Sequence, residues 1–245
     1  MKLHIYSVNL LIQLIQFNGG ERMDPKVQSN QSEKLVHSLV QAIDQEPTKF
    51  NNYYELGSLL TRLQDFEQAE ELFMKALGIF EQRDDSRAVD FLKYGLGNLY
   101  YTVDKVDEAI KYYDQVSDEN LKADAYLMMA QSYVKKHDYK RAIVYGLTAY
   151  EARPSDSEIA QVLGDALLAN GEFKEAAKYY DQILTRHPGR ADTQFNRGLV
   201  AMAMNEPYTE YLEQAQQLDP DYYKASEQRI AEIKATLQQL NLDEN

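Results

Sequence analysis

Residues 158–188 read EIAQVLGDALLANGEFKEAAKYYDQILTRHP, and the fold is decided there. The pair Leu163-Gly164 is followed by Phe173, by Ala176 twelve residues after the glycine, by Tyr180, and by a closing Pro188. Working outward, the pair recurs as Leu56-Gly57, Leu96-Gly97, Met129-Ala130 and, degenerately, Arg197-Gly198, in steps of 40, 33, 34 and 34 residues. An independent ladder of alanines, Ala69, Ala109, Ala142 and Ala176, repeats the steps 40, 33 and 34. Phe66, Val106 and Tyr139 keep the phase before the alanine, Phe73 and Tyr113 after it, and Pro47, Pro154 and Pro220 at the unit ends. Two ladders in agreement mean an array of repeated units. A small residue at a helix contact lets two axes approach closely, with large side chains a turn away filling the holes. Proline then ends the unit because it cannot continue a helix.

Composition agrees with long helices. Gly is 11 and Pro 6 of 245 residues, against 19 Tyr and no Trp. With 26 Lys plus Arg and 39 Asp plus Glu, the net charge of −13 argues against a nucleic-acid phosphate partner. The absence of Cys removes disulfides, thiolate nucleophiles and Cys-ligated zinc, and fits a cytoplasmic placement.

The Leu-Gly, Tyr, Ala, Phe and Pro pattern at this period resembles the tetratricopeptide repeat, over about residues 31–240. The resemblance implies an all-α, right-handed superhelical solenoid of antiparallel helix pairs with N- and C-terminal capping helices. The expected organisation is an N-terminal linker and half-repeat helix over 23–48, an array of about five units over 49–220, and a capping helix and tail over 221–245.

Departures from the pattern carry their own expectations. The 40-residue step places about six extra residues, Gln82 to Arg87, read first as a solvated loop between units, with extension of the flanking helices as the alternative. Gly146 stands where a second-helix aromatic belongs, leaving Tyr145 or Tyr150 to fill the space, and Asn205-Glu206-Pro207 shortens the fifth unit. Leu35, Leu39, Ala42, Ile43 and Pro47 match the second half of a unit and form the N-terminal cap. Tyr223, Ile230, Ile233, Leu237 and Leu240 make one apolar stripe on the last helix, read as a solvating cap, with a dimerising coiled coil as the competing use.

Residues 1–22 contain an apolar run from Leu3 to Phe17, shorter than the ~20 residues of a spanning helix and interrupted by Asn9, Gln13 and Gln16. Read back into codons, Gly19-Gly20-Glu21 before Met23 can contain a bacterial ribosome-binding site. The expectation is a mis-called leader with translation starting at Met23; a membrane-anchoring helix is the alternative.

Nothing in the sequence assembles a reaction centre. His4, His37, His137 and His187 share no metal-ligand spacing, no phosphate-binding or dinucleotide fingerprint occurs, and adjacent acids such as Glu70-Glu71 diverge on a helix. The chain is therefore expected to be noncatalytic, with no metal and no cofactor. Five Tyr-Tyr pairs remain to be explained. The repeat phase puts Tyr53, Tyr100, Tyr113 and Tyr180 on packing positions and leaves Tyr54 and Tyr101 elsewhere.

In the family this sequence resembles, the first helices of successive units line a concave face. Carrying the phase over gives Tyr54, Ser58 and Arg62, then Phe91, Tyr94, Asn98 and Tyr101, then Leu127, Met128, Gln131 and Lys135, and finally Phe195 as the partner-binding groove. An apolar, aromatic exposed face marks an interaction site, and Asn98 and Gln131 would bond the main chain of an extended peptide. The implied role is a protein-interaction scaffold or adaptor for a peptide or helix with apolar side chains. The net charge steers towards basic or neutral partners. Self-association through the end caps and a peptide-sensing regulator are the alternatives. The grip on a terminal carboxylate by two Lys, two Asn and an Arg, which some members use, is not encoded, because only Asn98 falls on a matching position. The competing expectation for the groove is that the C-terminal helix or the segment before Lys34 folds back into it and makes it core.

Overall fold

The computed structural model describes residues 25–243, with side chains over 32–233. The leader expectation for residues 1–22 lies outside them, as do the side chains of Leu237 and Leu240. Within them the chain is helical throughout, without a strand, and divides into two compact units that meet in sequence at Val116 and Ser117.

Unit 1 holds α1 (Pro25–Gln45), α2 (Phe50–Arg62), α3 (Phe66–Glu81), α4 (Ser86–Thr102) and α5 (Val106–Tyr113). Its antiparallel pairs are α2 with α3 and α4 with α5. Phe73, fully buried on α3, lies between two glycines: a Cβ on Gly57 would come within 2.5 Å of its Cζ, and one on Gly95 within 2.6 Å of its Cε1. The Leu-Gly spacing anticipated the approach at Gly57 but not the one at Gly95, which precedes the Leu96-Gly97 pair. Tyr113 meets Gly97 in the same way one pair later. The tyrosines placed on packing positions by phase, Tyr53, Tyr100 and Tyr113, are all buried here.

The charged insertion forms less loop than expected. α3 runs to Glu81 and α4 starts at Ser86, so only Gln82 to Asp85 connect them. The extra residues lengthen the flanking helices to 16 and 17 residues, against 13 and 14 for an ordinary pair in unit 2. Each added turn finds a buried contact. Phe80 packs edge-on against Phe50 and Tyr53, at 6.3 and 5.7 Å, and Ala88 is fully buried, while Asp85 caps α4 by accepting from the Ala88 amide at 3.0 Å. Before this array, α1 rests on α2 through Asn52, whose Nδ2 donates to the Ala42 carbonyl at 3.1 Å.

Unit 2 holds α6 (Lys122–Lys135), α7 (Tyr139–Ala152), α8 (Ser157–Ala169), α9 (Phe173–Arg186), α10 (Ala191–Ala203), α11 (Thr209–Leu218) and α12 (Pro220–Asp243). The first six form three antiparallel pairs. Gly164 admits Tyr180, whose Cε1 an added Cβ would approach to 2.8 Å, and Tyr180 is fully buried. At Gly146 a Cβ would stand 3.2 Å from Leu163 Cδ1, so close helix approach takes up the space of the missing aromatic. Tyr145 instead stacks on Tyr133 at 5.3 Å, and Tyr150 donates to Gln182 Oε1 at 2.6 Å. In the fifth unit Pro207 delays the second helix to Thr209, leaving it 10 residues long.

The turn inside each pair repeats with the ladder. Gln64, Asp104, His137, Gly171 and Asn205 all have positive φ, between 57° and 81°. The amide of the following residue reaches back five positions to a helix carbonyl: Asp65 to Leu60, Lys105 to Tyr100, Asp138 to Tyr133, Glu172 to Leu167 and Glu206 to Ala201, at 2.8–2.9 Å. This left-handed C-terminal cap satisfies the otherwise orphaned carbonyls. Only Gly171 announces it in sequence by residue type with certainty.

α12 caps unit 2. Ile230 is buried and Ile233 half-buried against α10 and α11, in a cluster with Phe195, Leu199, Met202, Leu212 and Ala215. The part of the C-terminal stripe whose side chains are described therefore packs within the chain.

Candidate functional site

In unit 1, α2 and α4 share one face. Tyr54 is half-buried, its ring perpendicular to Phe91 at 5.8 Å and tilted on Phe73 at 6.4 Å. Phe91 also meets Phe50 at 5.3 Å and is only 7% exposed, so it backs the face rather than standing open on it. Three and seven residues further along α4, Tyr94 and Asn98 are half-buried, as are Tyr101 and, on α2, Ser58, while Arg62 is exposed at the helix end.

Asn98 has a fixed orientation. The buried Tyr113 hydroxyl donates to Asn98 Oδ1 at 2.8 Å, and the Tyr113 ring lies 5.7 Å from that of Tyr94. With the carboxamide oxygen engaged, the Asn98 NH2 is the group left to serve a ligand acceptor. Burial pushes the Tyr113 hydroxyl well above the ordinary phenol range, so it remains a donor throughout the physiological range.

In unit 2 the expected face has two different characters. On α6, Leu127, Met128 and Gln131 are half-buried and Lys135 is exposed, while Met129 between them is core. On α8 and α10 the face is a polar network. Asp165 Oδ1 accepts from Tyr180 at 2.7 Å, Asn196 Nδ2 at 2.8 Å and Gln161 Nε2 at 2.9 Å; Thr193 donates to Gln161 Oε1 at 2.6 Å. Arg229 from α12 completes it, donating to Asn196 Oδ1 at 3.0 Å. Desolvation holds the Asp165 carboxyl above its usual range, against the lowering by these hydrogen bonds and by Arg229. Its partners lie 4, 15 and 31 residues away, which is why sequence periodicity does not reveal the network.

Phe195, expected in the groove, belongs to the core. It is fully buried, with Tyr222 and Tyr223 perpendicular to it at 5.8 and 5.7 Å and the Arg229 guanidinium 5.6 Å above its ring. The C-terminal helix covers it, so on α10 the fold-back expectation replaces the groove expectation. Among the described residues no three of His, Asp and Glu stand close enough to hold a metal ion, and no helix among them is long and apolar enough to cross a membrane.

Two tetratricopeptide repeat family models match, one over residues 49–118 and the other over 94–157 and 162–207. Among solved structures, the chain is similar to YrrB, described as "a TPR protein with an unusual peptide-binding site", at 24% identity and a TM-score of 0.60, covering 79% of this chain and 98% of YrrB. It is similar to Pseudomonas aeruginosa PilF at 17% identity and a TM-score of 0.66, covering 83% and 92% of the two chains. MamA aligns at 19% identity with a TM-score of 0.58, over 71% of this chain and 94% of MamA. At these identities the likeness is one of fold.

Proposed function

We propose that this chain, which belongs to the tetratricopeptide repeat family, is a noncatalytic scaffold or adaptor that binds a peptide or helix with apolar side chains on the face of its first helices. The observation that carries the reading is the Tyr113–Asn98 bond, which engages the carboxamide oxygen and leaves its NH2 as the donor on a face that also holds the half-buried Tyr54, Tyr94 and Tyr101. Tyrosines supply large anchors at low entropic cost, and an oriented amide gives the main chain of a ligand a fixed partner. Tyr54, Ser58, Arg62, Phe91, Tyr94, Asn98 and Tyr101 make the unit 1 surface; on unit 2 the corresponding surface is that of α6, with Leu127, Met128, Gln131 and Lys135. That YrrB is described as binding a peptide supports the same class of ligand. The absence of Cys fits cytoplasmic work.

The test is a pull-down from lysate of the source organism with residues 23–245 and with a Tyr94→Ala, Asn98→Ala, Leu127→Ala variant of matched helicity and melting temperature. A partner retained only by the unmutated face supports the adaptor reading. Equal retention by both refutes it.

A second reading, end-to-end self-association, has its own observation in α1. None of its described side chains is fully buried, and Leu35 and Val40 are 45% and 41% exposed. It requires a concentration-dependent mass that Leu35→Glu with Val40→Glu abolishes; a monomeric mass at all concentrations removes it.

A further inference from the structure

The geometry points to an acidic ligand on unit 1: an apolar segment flanked by two Asp or Glu side chains, which Arg62 and Arg87 receive. This rests on the face-binding reading above and specifies its ligand. Arg62 closes α2, and Arg87 lies in the first turn of α4, its guanidinium 5.7 Å over the Phe91 ring that Tyr54 also touches. Neither has a carboxylate within ion-pairing distance among the described residues, whereas Arg141, Arg153, Arg190 and Arg197 of unit 2 pair with Asp or Glu; Arg83, Arg186 and Arg229 also lack a carboxylate, but of the unpaired arginines only Arg62 and Arg87 stand on the two helices of this face. In a chain with 39 acids to 26 bases, scarcity of acids does not explain two unpaired guanidiniums on one face.

Local stability does not explain Arg87 either. A cation in the first turn of a helix meets the positive end of the helix dipole, and no acid occupies that turn of α4. Arg87 stands there because the insertion lengthens α4. Arg62 is exposed as a residue, yet partial desolvation of its guanidinium lowers its pKa, and no carboxylate among the described residues offsets this. A bound carboxylate offsets both penalties, and guanidinium pairs with it in two parallel hydrogen bonds.

The spacing of the two acids follows from helix geometry. α2 and α4 run in the same direction, and the Tyr54–Phe91 contact sets a common level. At about 1.5 Å of rise per residue, Arg62 lies about 12 Å to one side of that level and Arg87 about 6 Å to the other. An extended ligand at about 3.3 Å per residue covers this span in five or six residues. These positions and side-chain acids differ from the terminal-carboxylate grip excluded above. The chain-wide charge of −13 works against any acidic ligand, so a preference for one isolates the local chemistry.

The experiment uses fluorescence anisotropy of the full chain with three capped seven-residue peptides. All carry Leu and Phe in the middle; the first and sixth positions are Glu in one, Gln in the second and Lys in the third. The Glu peptide should bind at least tenfold more tightly than the Gln peptide at low salt. In an Arg62→Gln, Arg87→Gln variant that advantage should fall below threefold, with Gln-peptide affinity unchanged; Arg62→Lys with Arg87→Lys should retain part of it. Gln or Lys peptides that bind the unmutated chain as tightly as the Glu peptide overturn the inference and leave the apolar face reading standing. Failure of all three peptides also overturns it. If partner capture still depends on Tyr94, Asn98 and Leu127, the face reading survives that failure; if it does not, both fall together.

Discussion

Gly95→Ala places a Cβ 2.6 Å from Phe73 Cε1 and 2.7 Å from Cζ, where carbon–carbon contact needs about 3.5 Å. The ring has to move by nearly an ångström. It has nowhere to go, because its other side already lies against Gly57, where a Cβ would come within 2.5 Å of Cζ. Overpacking of this kind costs about 1–3 kcal/mol, and the better helix propensity of alanine returns about 1 kcal/mol. A contact as short as this belongs in the upper half of the overpacking range, about 2–3 kcal/mol, so a net loss of about 1–2 kcal/mol is expected. With a urea slope of about 2 kcal/mol per molar, the midpoint followed by far-ultraviolet circular dichroism falls by about 0.5–1 M. The decisive comparison is the same substitution beside Phe73→Leu. The smaller side chain removes the clash, so Gly95→Ala should there be neutral or stabilising by up to about 1 kcal/mol, a coupling of about 2 kcal/mol. If Gly95→Ala is harmless in the unmutated chain, or equally costly beside Phe73→Leu, close approach is not what this glycine provides.

Other substitutions test other links. His137→Gly should stabilise by about 0.5–1 kcal/mol, since a left-handed residue with a Cβ is strained by about 1–2 kcal/mol and glycine gives part of that back in chain entropy; Gly171→Ala should lose about 1 kcal/mol, both read from urea midpoints. Tyr113→Phe should cost about 1 kcal/mol of stability and, by releasing the Asn98 carboxamide, weaken capture of the partner with helicity intact; unchanged capture would show that the orientation of Asn98 is irrelevant. Asp165, held by burial above the ordinary carboxylate range in the folded state, contributes stability that is fully present below the unfolded-state pKa and lost as pH rises through the folded-state pKa. Asp165→Asn should flatten that acid-range decline in melting temperature, and an unaltered pH profile would contradict the assignment.

The repeat, its helical pairing and its buried positions were legible because each is set by spacing along the chain. Gly57, Gly97 and Gly164 had to be small, and Tyr53, Tyr100, Tyr113 and Tyr180 had to be buried, wherever helices cross at that period. The outline of the unit 1 face followed from the same phase, and so did its half-buried Tyr54, Tyr94, Asn98 and Tyr101.

For the insertion the alternative reading held over the first one, for a local reason: charge in Gln82 to Arg87 suggests solvent, yet Phe80 and Ala88 on its flanks find buried contacts that extend the helices towards it and leave only Gln82 to Asp85 as connection. Left-handed turns at Gln64, Asp104 and His137 were illegible because these residues do not require the conformation; the helix end imposes it. Phe195 read as groove because phase places a residue on a face without telling what else packs there. Sequence alone determined the period, the pairing and which positions face inward, since those depend on neighbours a few residues away. Only the tertiary structure decided which parts of the outer face stay open. That depends on α12 laying Tyr222, Tyr223 and Arg229 over α10 and joining Arg229 to the Asp165 network, contacts between residues about 30 to 60 positions apart that no periodicity encodes.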